Sequence, residues 1–181
     1  MARLFRGEDV AVSDAENWAL LLVRLGLGVV MLLHGWNHWR GKGGIDGTAG
    51  WFGGLGLTRP RLQAWFSVLT ELGAGALLIL GLGTPLACAA VVGVMLVAGL
   101  LAHRRNGFFV FKDGYEYVLV LSLVAIALAA FGPGAASIDE AADIAVVGWA
   151  GAGIALGGGV VGTAALLAAF YRPQAAVSEE S

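Results

Sequence analysis

Residues 18–40, WALLLVRLGLGVVMLLHGWNHWR, form a long apolar run that nonetheless carries Arg24, His34, Asn37 and His38. About 20 helical residues at ~1.5 Å each cross the ~30 Å hydrocarbon core of a bilayer, so this run is long enough to span one. An ionised side chain inside a span is costly and normally faces a protein interior with a partner. The segment therefore demands a membrane bundle whose other helices answer Arg24 and the two histidines. Composition agrees, since 58% of the 181 residues are hydrophobic and only 13% charged, where a soluble domain would carry roughly a quarter. No basic patch of the kind that binds nucleic acid is present. The single cysteine, Cys88, lies in an apolar stretch, which excludes internal dithiol chemistry and reads as a small buried residue.

Five spans are expected, at residues 17–40, 61–83, 85–103, 115–131 and 145–171. The Gly83-Thr84-Pro85 turn separates the second from the third, and Gly132-Pro133-Gly134 stops the fourth. The short connections imply antiparallel neighbours in an all-α integral membrane bundle. The N-terminal residues lack the features of a cleavable signal, so the first helix is expected to stay in the mature protein. Lys and Arg mark the cytoplasmic side. Arg40, Lys42, Arg59, Arg61, Arg104, Arg105, Lys112 and Arg172 fall on one side, against Arg3 and Arg6 on the other. This predicts an inner-membrane protein with its N-terminus outside and its C-terminus cytoplasmic. Trp36, Trp39, Trp51 and Trp65 fall near the inner interface and Trp18 and Trp149 near the outer one, as amphipathic rings prefer.

Residues 47–57, GTAGWFGGLGL, are too apolar for a solvated loop and too short to span, so they read as an interfacial or re-entrant segment. In the fifth span, Gly153-x-x-x-Gly157 and Gly158-x-x-x-Gly162 allow a close approach between helices, within the bundle or in a homo-oligomer.

The polar residues of the spans suggest a site. Glu71 sits near the middle of the second span. Arg24, six residues inside Trp18, is offset from it in depth by about 9 Å, within reach of a leaning guanidinium stem. At ~100° per residue, Arg24, His34 and His38 share an arc of about 80° on one helix face, which should point at Glu71. An Arg24–Glu71 pair is then expected, either as a strut or as part of a working site. His34 and His38 have the i, i+4 spacing of two metal ligands, but the chain supplies no Cys ligand or second His pair to complete such a site. A proton-handling role for His34 fits better. Arg24, His34, Asn37, His38, Trp51, Glu71, His103, Asn106 and Glu116 outline an apolar-walled pocket able to hold a quinone-like ring, or equally a small-solute path.

The stretches Leu32-Leu33-His34-Gly35-Trp36-Asn37-His38, GTAGWFGGLGL, Glu71-Leu72-Gly73-Ala74-Gly75, Gly81-Leu82-Gly83-Thr84-Pro85, His103-Arg104-Arg105-Asn106-Gly107-Phe108-Phe109 and Gly114-Tyr115-Glu116-Tyr117 resemble the DoxX family of small bacterial membrane proteins. The resemblance runs over residues 18–133. It implies a four-helix membrane core at 17–133, following a short tail at 1–16. Residues 134–171 form an extension with the fifth helix, and 172–181 an acidic tail. It also implies kinship with membrane subunits of quinone-linked oxidoreductases that work with soluble or membrane redox partners, and a functional set of Arg24, His34, Glu71, His103, Asn106 and Glu116. Three readings follow from residues and resemblance together. The first is a subunit of a quinone-linked oxidoreductase system, with Glu71 and His34 relaying protons and electrons coming from a partner. The others are a non-catalytic scaffold that docks redox partners, and a proton-coupled or small-solute carrier.

Overall fold

The computed structural model describes residues 13–173. Arg3 and Arg6, counted for the orientation, and residues 174–181 of the acidic tail lie outside them. The described chain is helical: α1 (Asp14–Arg40), α2 (Gly44–Gly54), α3 (Pro60–Leu80), α4 (Thr84–Ala98), α5 (Glu116–Phe131), α6 (Ile138–Ala141) and α7 (Gly148–Phe170). Beyond Ala98 the α4 rod continues through a π turn and a 3-10 turn to Asn106. Four rods, Asp14–Arg40, Pro60–Leu80, Thr84–Asn106 and Gly148–Phe170, are long and apolar enough to cross a membrane. α5 is a shorter apolar helix. The chain is a multi-pass membrane protein. Its outward faces carry exposed Leu22, Leu69, Leu86, Leu123 and Val161, a surface suited to lipid rather than water.

α1 begins with a capping box in which Ser13 and Glu16 satisfy each other's backbone N–H groups. It then packs antiparallel against α3 at very short range. A Cβ on Gly75 would lie 2.8 Å from the Gly28 carbonyl oxygen, and one on Gly35 2.9 Å from Leu72 Cγ. Those contacts fix the register of the pair: Gly35 lies beside Glu71 and Leu72, Gly28 beside Gly75, and Arg24 beside Gly81. The α3–α4 turn uses Gly81 and Gly83 at φ 63° and 58°, a left-handed conformation that glycine adopts without penalty.

α1, α3, α4 and α5 touch in a ring, and α7 lies along α4 and α5. α4 is the central rod, burying Ala87, Cys88, Val91, Val92 and Met95. The buried stripe of α7 is Gly151, Ala155, Gly159 and Thr163, two residues out of phase with Gly153 and Gly157 and one with Gly158 and Gly162. Gly158 does face Ala89 of α4, whereas Gly153, Gly157 and Gly162 have nothing within 4 Å of a built Cβ. The apolar connector expected at 47–57 is helical as α2 and packs on α3 and α1.

Candidate functional site

Along α3, Gln63, Ser67, Thr70 and Glu71 recur at the spacing that places side chains on one helix face. Glu71 is 1% exposed and Gln63 3%. One Glu71 oxygen accepts a hydrogen bond from Ser67 Oγ and lies 3.7 Å from His38 Nε2. The other, Oε2, has no hydrogen-bond partner among the described residues, and neither does Gln63 Nε2. Burying such atoms unpaired costs roughly 1–3 kcal/mol each, so they mark a place where a polar ligand atom or water would be favoured.

α2 fixes the histidine. Thr48 Oγ1 donates to the His38 carbonyl at 3.0 Å and sits 3.4 Å from His38 Nδ1. Its only hydrogen is committed to that carbonyl, so it can only accept from the ring, which places a proton on Nδ1. Nε2 is therefore the nitrogen that faces Glu71, 3.7 Å away. Trp51 stacks on the same ring, centroids 6.0 Å apart at 17°, with Phe52 at 5.8 Å. The pair lies near the middle of α3, beside a cavity of about 480 Å³, within the ~300–1,000 Å³ range of small-molecule sites. Its polar lining comprises His38, Gln63, Ser67, Thr70, Glu71 and Thr163, and the rest is apolar side chain and glycine contributed by α2, α3, α4 and α7.

The other residues expected at the site lie elsewhere. Arg24 does not meet Glu71. It is 1% exposed and donates to the carbonyls of Pro133, at 2.9 Å, and Ala136. The register explains this: Arg24 stands opposite Gly81, ten residues or about 15 Å along α3 from Glu71, and its stem leans away from the bundle's middle. Next to it, Asp139 accepts from the backbone N–H of Gly83 and Thr84 at 2.7 and 2.8 Å, capping α4. Arg24 and Asp139 together pin the 132–139 connector over the α3–α4 turn.

His34 also points away, facing Tyr117 of α5 with ring centroids 6.1 Å apart, so the two histidines diverge rather than converge on a ligand. Asn37 is exposed near the end of α1 and is not part of the cavity lining. His103, Asn106 and Glu116 fasten the connector between α4 and α5. His103 Nδ1 lies 2.9 Å from the Asp113 carbonyl, Asn106 donates to Asp113, and Glu116 accepts from the Val110 N–H. None of the three borders the cavity.

A comparison with known families matches residues 19–104 to DoxX. The chain carries a DoxX domain. The match runs from α1 through the end of the α4 rod and so contains α2, His38, Gln63 and Glu71, whereas α7, which supplies part of the cavity wall, lies beyond it. No curated protein and no solved structure matches the chain. Gln63 and Ser67 are among the polar cavity residues of the DoxX domain that were not anticipated from sequence. Their signal was the i, i+4, i+8 register ending at Glu71, which identifies one polar line on an otherwise apolar helix. Nothing in the local sequence of Asp139 announces that it caps α4.

Proposed function

We propose that the DoxX domain binds the head of a quinone in the Glu71 cavity and serves as the membrane subunit of a quinone-linked oxidoreductase system. The observation that carries this reading is the buried Glu71 carboxyl, one oxygen near His38 and the other unpartnered, on a residue that lines a largely apolar cavity. A quinone is a flat ring with hydrogen-bond acceptors at its edge, and it supplies two-electron, two-proton redox chemistry when bound. Glu71 and His38 would hold and pass a proton at the ring oxygen, Gln63 would donate an N–H, and Trp51 and Phe52 would exclude water. Cys88, the only thiol, is buried in α4 outside the cavity lining, so electrons would come from a soluble or membrane redox partner.

The same reading places the protein in a bacterial inner membrane with five spans, α5 included, and with the α2 end cytoplasmic, where Arg40, Lys42, Arg59, Arg61, Arg104, Arg105 and Lys112 cluster. The open Gly153 position of α7 leaves room for a partner helix. The test is Glu71→Gln in the purified protein. It should lower the affinity for a short-chain quinone by roughly tenfold or more, the equivalent of about 1.4 kcal/mol or above, while assembly with partners persists. Unchanged quinone affinity would sink the site.

A further inference from the structure

α7 lies outside the residues matched to DoxX, yet it forms one side of the Glu71 cavity. Its contribution is unusual for a wall: Gly158, Gly159 and Gly162, followed by Thr163 and Leu166. Gly159 packs on α4, where a built Cβ would lie 2.6 Å from Val92 Cγ1, and Thr163 donates to the Gly93 carbonyl at 3.2 Å. The backbone of α7 is thus held close to α4, while Gly162 presents no side chain towards the cavity and a Cβ there would meet nothing within 4 Å.

The lower end of α7 is tied as well. The Thr58 N–H donates to the Phe170 carbonyl at 2.8 Å and the Arg172 N–H to the Gly56 carbonyl at 2.9 Å, and Leu57 and Tyr171 form an antiparallel bridge. With Trp51, Phe52, Leu55 and Leu57 lining that end of the cavity, the α2 end is covered. On the side, Phe66 and Thr70 of α3 and Leu86 of α4 line the cavity and are themselves exposed. The opening therefore faces sideways between α3 and α7, towards the lipid.

We infer that α7 makes this cavity a lateral slot for the hydrocarbon tail of a membrane amphiphile, with the tail lying along Gly158 and Gly162 and the head at Glu71 and Gln63. This deepens the quinone reading and rests on it. The ligand class becomes a tailed lipid that enters from the bilayer, and a water-soluble solute arriving from one face would have no use for the glycine-lined side. Glu71 and Gln63, each with an unpartnered buried polar atom and each lining the cavity, mark the head position, and the glycines of α7 mark the tail position.

The experiment uses the full-length protein in lipid nanodiscs and two quinones with the same head, one bearing a decyl tail and one a methyl group. Gly162→Leu fills the slot with a side chain where there is space, so the helix should fold. Gly157→Leu, which is exposed and outside the cavity lining, is the control. Gly162→Leu should weaken binding of the decyl quinone roughly tenfold, as expected for overpacking a ligand site, and leave the methyl quinone within about twofold. Gly157→Leu should change neither. Equal losses for both quinones, or no loss for the decyl form, would overturn the slot. The head site is read separately, through loss of methyl-quinone binding in Glu71→Gln. A wild-type protein that binds neither quinone would overturn both readings.

Discussion

Replacing Arg24 by alanine separates two roles that sequence alone left open. The guanidinium makes two hydrogen bonds to backbone carbonyls, those of Pro133 and Ala136, and its charge lies near Asp139. Hydrogen bonds from a charged donor contribute roughly 1.5–3 kcal/mol each, and removing one partner of a buried charge arrangement costs roughly 3–5 kcal/mol, because the groups left behind stay buried and unpaired. Relief of the desolvation of Arg24 is already included in that range. For a chain of this size about 1 kcal/mol corresponds to roughly 2–4 °C in Tm. Arg24→Ala should therefore lower Tm in detergent by roughly 6–20 °C. A cysteine introduced at Ala135, whose N–H is held by the Asn17 side chain, should also label faster as the connector loosens. At permissive temperature the same variant should bind quinone as wild type does, because about 15 Å of helix separates Arg24 from Glu71. A variant that keeps its Tm but loses quinone binding would refute the strut and restore Arg24 to the site.

Other substitutions test the register and the connectors. Gly75→Val should cost ~3 kcal/mol or more or prevent folding, since its Cβ falls on the Gly28 carbonyl. By contrast Gly73→Ala, with nothing within 4 Å, should unfold within roughly 0.5 kcal/mol of wild type; thermal unfolding reads both. Asp113→Ala removes exposed contacts to His103 and Asn106, so it should cost no more than ~1 kcal/mol and leave quinone affinity unchanged in a binding titration.

Much of this architecture was legible in the sequence because hydropathy and turn residues act locally. The long apolar runs, the Gly83-Thr84-Pro85 turn and the Gly132-Pro133-Gly134 stop each signal themselves without reference to another helix. Register between helices does not. Depth measured along α1 put Arg24 within reach of Glu71, but the pair is set by Gly28 meeting Gly75, which carries Arg24 up to Gly81. Rotation is equally hidden: His34 and His38 lie only about 40° apart on α1, and it takes α2 and α5 to turn one towards Glu71 and the other towards Tyr117. Glu71 was readable because a carboxyl in mid-span is rare. Gln63, one of several polar residues near the start of a span, carried no such mark, and the glycines of α7 gave a helix-packing signal that concealed their place along a cavity.

If Glu71 and its cavity hold a lipid-soluble, carbonyl-bearing ligand, that ligand should accompany the protein out of the membrane. Mass spectrometry of the protein isolated from its native membranes in mild detergent tests it most directly. A quinone should be bound to the wild-type chain at near-stoichiometric level and strongly depleted in Glu71→Gln. Recovery of the wild-type protein with phospholipid alone, or a quinone retained equally by Glu71→Gln, would contradict it.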